Sequence, residues 1–196
     1  MFCPSCGRLG PPRPGTTHFD VFRVRPSHAV DPGELEQKYR ELSFKLHPDR
    51  YAQADPTEPR YAVEHTAALN EAWKVLKDPA RRAFYLLKLH GVDLETEQGA
   101  ERAQMPLEFL EEVMSLRESL EQARAKKDLD AVSAMADDVR REERGTLQEA
   151  IEALHRLETD PTDERARRQA TLALGRVRYF TRFLEEVEAI EEEVVG

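Results

Sequence analysis

Phe44-Lys45-Leu46-His47-Pro48-Asp49-Arg50-Tyr51 (FKLHPDRY) sets a histidine, a proline and an aspartate in a row directly after an amphipathic run. Proline biases its predecessor away from the α region, so a helix has to end here. Pro48 also holds its own φ near about −65°, which leaves His47 and Asp49 on a stiff corner with little freedom to lose on binding. The helix leading into the corner has a clear start, with Asp31 as N-cap, Pro32 at the first helical position and Glu34 at the third. Leu35, Tyr39, Leu42 and Leu46 follow at spacings of four, three and four, which is one stripe on one face. Beyond the triplet come Pro56 and Pro59 in a loop, then a long run with Tyr61, His65, Leu69, Ala72 and Leu76 on one side, widened by Trp73 and Val75. The two runs predict an antiparallel helical hairpin with the triplet at its tip.

Working outward, Phe19, Phe22 and Val24 predict one brief helix before the hairpin, and the Pro- and Gly-rich residues 1–17 predict a flexible arm or a small metal-dependent knuckle. After the hairpin, Asp78-Pro79 starts a helix with Phe84, Leu86, Leu87 and Leu89 that stops at Gly91. The polar stretch 92–103 then reads as a linker between a domain at 18–91 and a second at 104–196. In the second domain, Pro106 opens a helix carrying Phe109, Leu110, Val113, Met114, Leu116 and Leu120. Another runs from about Leu129 through Val139, Leu147, Ile151 and Leu154; a third, starting at Asp160-Pro161, carries Leu172, Leu174, Val177, Phe180, Leu184, Val187 and Ile190. Short connections between long helices predict an antiparallel three-helix bundle, so the whole chain is expected to be all-α.

Composition narrows the function. Of 196 residues, 34% are charged, 40% hydrophobic and only 7% aromatic, and the net charge of −9 disfavours binding to nucleic acid, leaving proteins as the expected partners. No apolar run reaches the roughly 20 residues of a membrane span, and MFCPSCGRLGPPRPG has no secretory apolar stretch, so a cytoplasmic protein without membrane attachment is expected. Cys3 and Cys6 form one CxxC pair. A zinc site needs four ligands, so this pair would bind zinc with His18 and His28, share a metal with a second chain, or bind none. Two cysteines are too few to hold an iron–sulfur cluster alone. There is no nucleophile elbow, phosphate loop or carboxylate cluster, so no catalytic residue or resident cofactor is expected and the chain is not read as an enzyme.

The triplet together with Tyr39, Leu46, Asn70, Ala72, Trp73, Leu76 and Asp78-Pro79 resembles the J domain, the module that recruits chaperones of the seventy-kilodalton heat-shock class. HFDVF, NEAWKVLKDPARRAFYLLKLHG, VDLETEQ and PLEFLEEVMSLRESL make the chain similar to the HscB-type co-chaperones of iron–sulfur cluster assembly. The resemblance implies that His47, Pro48 and Asp49 contact the chaperone (HscA or DnaK type) and promote its ATP hydrolysis. Lys38, Arg40, Lys45 and Arg50 would present positive charge beside them, although Glu34, Glu36 and Glu41 interleave and ordinary ion pairs within the helix are an equal reading. It also implies that Leu110, Met114 and Tyr179 contact a cluster scaffold protein of the IscU type; Met114 and Tyr179 stand where the familiar bacterial pattern has leucine and phenylalanine. Some relatives carry two CxxC pairs ahead of the J domain, so Cys3 and Cys6 look like half of that site. Two other readings stay open: a helical adaptor whose J-like region is only scaffold, and a J-domain protein serving a different client.

Overall fold

The computed structural model describes residues 1–2, 5–102 and 104–195. Its helices are α1 (His18–Phe22), α2 (Pro32–Leu46), α3 (Glu58–Leu76), α4 (Pro79–Leu89), α5 (Glu97–Arg102), α6 (Leu107–Lys126), α7 (Leu129–Thr159) and α8 (Glu164–Val195), with a 3-10 turn at Pro48–Tyr51. The all-α expectation holds, and the chain divides into two compact units, Met1–Arg82 and Ala83–Gly196.

In the first unit α2 begins as its sequence dictates, the Asp31 carboxylate accepting the Glu34 amide at 2.6 Å ahead of Pro32. α1 packs on α2 and α3, and α2 on α3. Phe19, Phe22, Leu35, Leu46, Leu69 and Leu76 are buried to 2% exposure or less, so the predicted stripes of both hairpin helices meet around α1. Each such side chain contributes on the order of 1.5–3 kcal/mol. Near the hairpin's open end, buried Arg82 donates from Nε to the Leu76 carbonyl at 2.8 Å and from Nη1 to the His28 carbonyl at 2.6 Å. Burial pushes its pKa below the ordinary guanidinium value, and the Asp78 carboxylate opposes that shift.

The expected flexible arm is instead packed. Phe2 and Leu9 form an isolated antiparallel bridge, Leu9 is 3% exposed, and its amide donates to the buried Glu58 carboxylate at 2.8 Å. His65 bonds through Nε2 to the Gly10 carbonyl at 2.8 Å. Both polar residues lie on α3, on the face where Ala62 and Leu69 are buried, and they satisfy backbone groups of the arm that would otherwise be left unpaired.

The stretch 92–103 also differs from a loose linker: Val92 and Leu94 are buried, the Leu94 carbonyl accepts a hydrogen bond from Arg178 of α8, and α5 follows. Gly99 of α5 sits so close to the Asp93 carbonyl that a Cβ would lie 1.7 Å from its oxygen, which only glycine allows. Two apolar residues and one glycine in a polar run carry no periodicity, which is why the order of this segment is not visible locally. The stop at Gly91 is correct: its φ is +87°, and the Val92 amide closes back on the Leu87 carbonyl at 3.2 Å.

In the second unit α6, α7 and α8 pack against one another around Phe109, Val113, Leu120, Val132, Val139, Phe180, Phe183 and Val187. One start is displaced. Asp160-Pro161 is the turn rather than the beginning of α8: Asp160 is extended and binds Thr162, while the Asp163 carboxylate accepts the Ala166 amide at 2.9 Å and caps the helix. Two Asp residues three apart are both capping candidates, and the chain reversal selects the second.

Replacing Glu58 with alanine is expected to cost about 1–3 kcal/mol, because the Leu9 amide is left buried without an acceptor. Hydrogen exchange should show Leu9 and Gly10 losing protection while Leu69 keeps it. Burial and the neighbouring Arg167 hold the pKa of His90 below its ordinary 6.5, against the opposing pull of Glu158. The unfolded chain therefore binds this proton at higher pH than the native one, and stability falls as pH drops through 6.5 toward the native pKa. Urea midpoints measured between about pH 7.5 and about pH 5 should decline, and the decline should be shallower in His90→Gln.

Candidate functional site

The His47-Pro48-Asp49 corner is built from its two flanks. Leu46, the last residue of α2, is fully buried, and its carbonyl accepts the Thr66 hydroxyl of α3 at 3.2 Å. His47 leaves the helix at φ −56°, ψ 125°, and Pro48 opens the 3-10 turn, whose Arg50 amide returns to the His47 carbonyl at 3.0 Å. The Tyr51 hydroxyl then donates to the Lys45 carbonyl at 2.8 Å, tying the far side of the turn back onto the last turn of α2. The corner is closed by one side chain of its own.

Within it the His47 and Asp49 side chains are 60% and 89% exposed, with Nδ1 and Oδ2 3.6 Å apart. Nδ1 also faces the Asp49 amide at 3.4 Å, a long contact that orients the ring. The carboxylate is thus presented to solvent on a backbone that does not need to rearrange, which suits recognition by a planar cation.

The four predicted cations are placed differently from one another. Lys38 pairs with Glu34, Arg40 with Glu36 and Lys45 with Glu41, each one helical turn apart on α2. Arg50 instead lies over the ring of Phe44, 4.6 Å from its centroid. Phe44 is 68% exposed, a large aromatic on the surface beside the corner that the α2 stripe does not include and that the sequence reading passed over. Farther down the hairpin Tyr39 stacks on Trp73 at 4.7 Å and donates its hydroxyl to Asn70 at 3.0 Å, joining α2 to α3 through residues of the original motif.

The second candidate surface lies on α6 and α8. Phe109, Val113 and Leu120 enter the core, whereas Leu110 is half-buried and Met114 is 63% exposed. α6 therefore carries two stripes. Leu107, 66% exposed and three residues before Leu110, extends the outer one; its place one turn ahead of Leu110 was the available signal. Tyr179 is half-buried and meets the Phe109 ring edge-on at 5.6 Å, so Phe109 connects it to the α6 surface.

Of the CxxC pair, Cys6 is exposed and Cys3 lies outside the described residues. Among the described residues no group of three His, Cys, Asp or Glu side chains is placed to hold a metal. The predicted partner His28 has its Nε2 on the Pro79 carbonyl at 3.0 Å, which commits that nitrogen within the first unit. Among the described residues no helix is long and apolar enough to cross a membrane.

A helical hairpin that exposes His-Pro-Asp at its turn defines a J-domain protein, and residues 17–85 match the DnaJ domain family. Residues 105–188 match the HSCB C-terminal oligomerisation domain. The chain belongs to the HscB family of J-domain co-chaperones. Its relatives include the co-chaperone protein HscB homolog of Burkholderia multivorans, 38% identical over 132 residues that cover 67% of this chain and 74% of the relative. Among solved structures it is similar to human co-chaperone HscB, with a TM-score of 0.81, 28% identity and coverage of 96% of this chain and 88% of that one. Chaperone HscB from Vibrio cholerae aligns with a TM-score of 0.73 and 28% identity, over 91% of this chain and 99% of that one. These relatives are named as chaperones or co-chaperones.

Tyr51→Phe removes the hydroxyl that closes the corner and little else. Amide exchange at residues 49–52 should accelerate severalfold, with a loss of global stability of only about 0.5–1.5 kcal/mol by chemical denaturation.

Proposed function

We propose that this chain recruits a seventy-kilodalton heat-shock-type chaperone, HscA or DnaK type, through His47, Pro48 and Asp49, and stimulates its ATPase. In the same reading the second unit brings an iron–sulfur cluster scaffold protein of the IscU type, so that the cluster is passed on for maturation of iron–sulfur proteins. The observation that carries the first half is the 89% exposed Asp49 carboxylate on a corner braced by Pro48 and Tyr51. Asp49 pairs with a basic group of the chaperone, and His47 donates or accepts beside it. Such contacts shift the chaperone only if they are stronger in its hydrolysis-competent state than in the resting one.

Lys38, Arg40 and Lys45 already have carboxylate partners on their own helix, which cancels most of their field at a distance, so they contribute to docking only where an acidic surface displaces those exposed pairs. Arg50 is held on Phe44 instead and supplies positive charge next to the corner. The exposed outer stripe of α6, with Leu110 and Met114, and Tyr179 across Phe109 support the client half of the proposal. Carrying both partners on one chain makes the meeting of client and chaperone effectively intramolecular.

A chaperone ATPase assay tests both halves. Wild type should stimulate hydrolysis, more strongly with scaffold present, whereas His47→Gln and Asp49→Asn should lose at least about tenfold of the stimulation, equivalent to about 1.4 kcal/mol of lost coupling. Equal stimulation by all three proteins would leave the adaptor reading in its place. Combined Leu110→Ala, Met114→Ala and Tyr179→Ala should abolish the added effect of scaffold; an undiminished effect points to a different client or a different surface.

A further inference from the structure

Charge is segregated along α8. Residues 164–184 hold six arginines and a single acidic residue, Glu164, whereas 185–193 hold six glutamates and no cation. The basic half contains Tyr179, in a chain whose net charge is −9. Two of these arginines are already engaged: Arg167 binds Glu164 and the Pro161 carbonyl, and Arg178 binds the Leu94 carbonyl.

The Nε atoms of Arg167 and Arg176 are both buried without a hydrogen-bond partner, but Arg167 commits its Nη groups to Glu164 and Pro161, whereas the half-buried Arg176 lies with its guanidinium over the Phe109 ring, 5.1 Å from the centroid. The other side of the same ring network is Tyr179, three residues on, whose edge-on contact with Phe109 is 5.6 Å. Stacking on an aromatic face holds a guanidinium flat and leaves its planar fork of donors free to meet a carboxylate in two parallel bonds. On α6 the nearby cation Arg117 is already neutralised by Glu186 at 2.8 Å. Glu111 and Glu118 are exposed beyond Leu110 and Met114 around the helix, on the edge away from the Arg117 side. The face thus runs from positive at Arg176, through apolar Leu110 and Met114, to negative at Glu111 and Glu118, which imposes one orientation on a charged partner.

We propose that Arg176 is the ion-pairing residue of this face and receives an aspartate or glutamate side chain of the docked client protein. Leu110, Met114 and Tyr179 take the client's apolar neighbours, and Glu111 and Glu118 exclude acid at the opposite edge. The proposal rests on the reading of this face as the client dock.

Calorimetric titration of an IscU-type scaffold into the full-length protein tests it, at low and at high ionic strength. Wild-type affinity should weaken as salt rises. Arg176→Met keeps an apolar chain against Phe109 but no charge; it should bind about tenfold more weakly at low salt and show a flatter salt dependence. Arg176→Lys should recover much of the salt dependence. Should Arg176→Met fail to fold by circular dichroism, Arg176→Gln takes its place with the same expectation. If the neutral variant matches wild type in affinity and in salt response while Leu110→Ala weakens binding, the ion pair is overturned and the client dock stands. If wild type does not bind the scaffold, the client reading fails and the ion pair fails with it.

Discussion

Leu46 is fully buried and Pro48, two residues later, cannot continue the helix, and this forced exit sets the geometry of the first unit. A buried leucine fixes where the last turn of α2 sits against α3, and truncating it would cost on the order of 2–5 kcal/mol. The restricted φ of proline then fixes the direction in which the chain leaves. Tyr51 and Thr66 bind the last two carbonyls of α2, Lys45 and Leu46, while His47 and Asp49 just beyond stay exposed. Polar side chains beside a buried anchor thereby gain rigidity without becoming buried. The triplet contributes recognition chemistry, and Leu46 with Tyr51 holds it still.

The second unit solves a related problem with a long helix. α6 has to pack into a bundle and still offer an apolar surface, and it does so with two stripes. Phe109, Val113 and Leu120 face inward and Leu107, Leu110 and Met114 outward. Phe109 serves both roles: it is 6% exposed, yet Tyr179 and Arg176 both rest on its ring. Removing Phe109 would therefore disturb core and surface together, whereas changes at Met114 leave the core alone. An exposed methionine is suited to an adaptable contact because its chain is unbranched and polarisable.

Much of this was readable from local pattern. The Asp31-Pro32 start, the apolar stripe ending at Leu46, the stop at Gly91 and the inward stripe of α6 depend on contacts within a turn or two of the residue itself. Where the reading failed, the deciding partner was distant. High Pro and Gly content in the arm predicts flexibility or a metal-dependent knuckle, but Glu58 and His65, about fifty residues away, supply the acceptor and the ring nitrogen that hold it. Polar residues on an otherwise apolar helical face were the only hint. The order within 92–103 is similarly hidden, since the close approach of Gly99 to Asp93 and the bond from Arg178 to Leu94 leave no trace in periodicity.

The amino-acid order was enough for every named helix but α5 and for the chemistry of the corner: which of these residues form helices, where Pro48 breaks one, and which motif that break displays. Those follow from dihedral restriction, capping and helical period, all of them short-range. It was not enough to assign side chains to partners. That Arg50 rests on Phe44 while Lys38, Arg40 and Lys45 are paired on α2, that Met114 is exposed and Leu110 only half so, and that Arg176 lies on Phe109 with its Nε unpaired follow from how the helices pack. Packing depends on the simultaneous fit of residues far apart in the chain, and no local pattern encodes which charge is left over when that fit is complete.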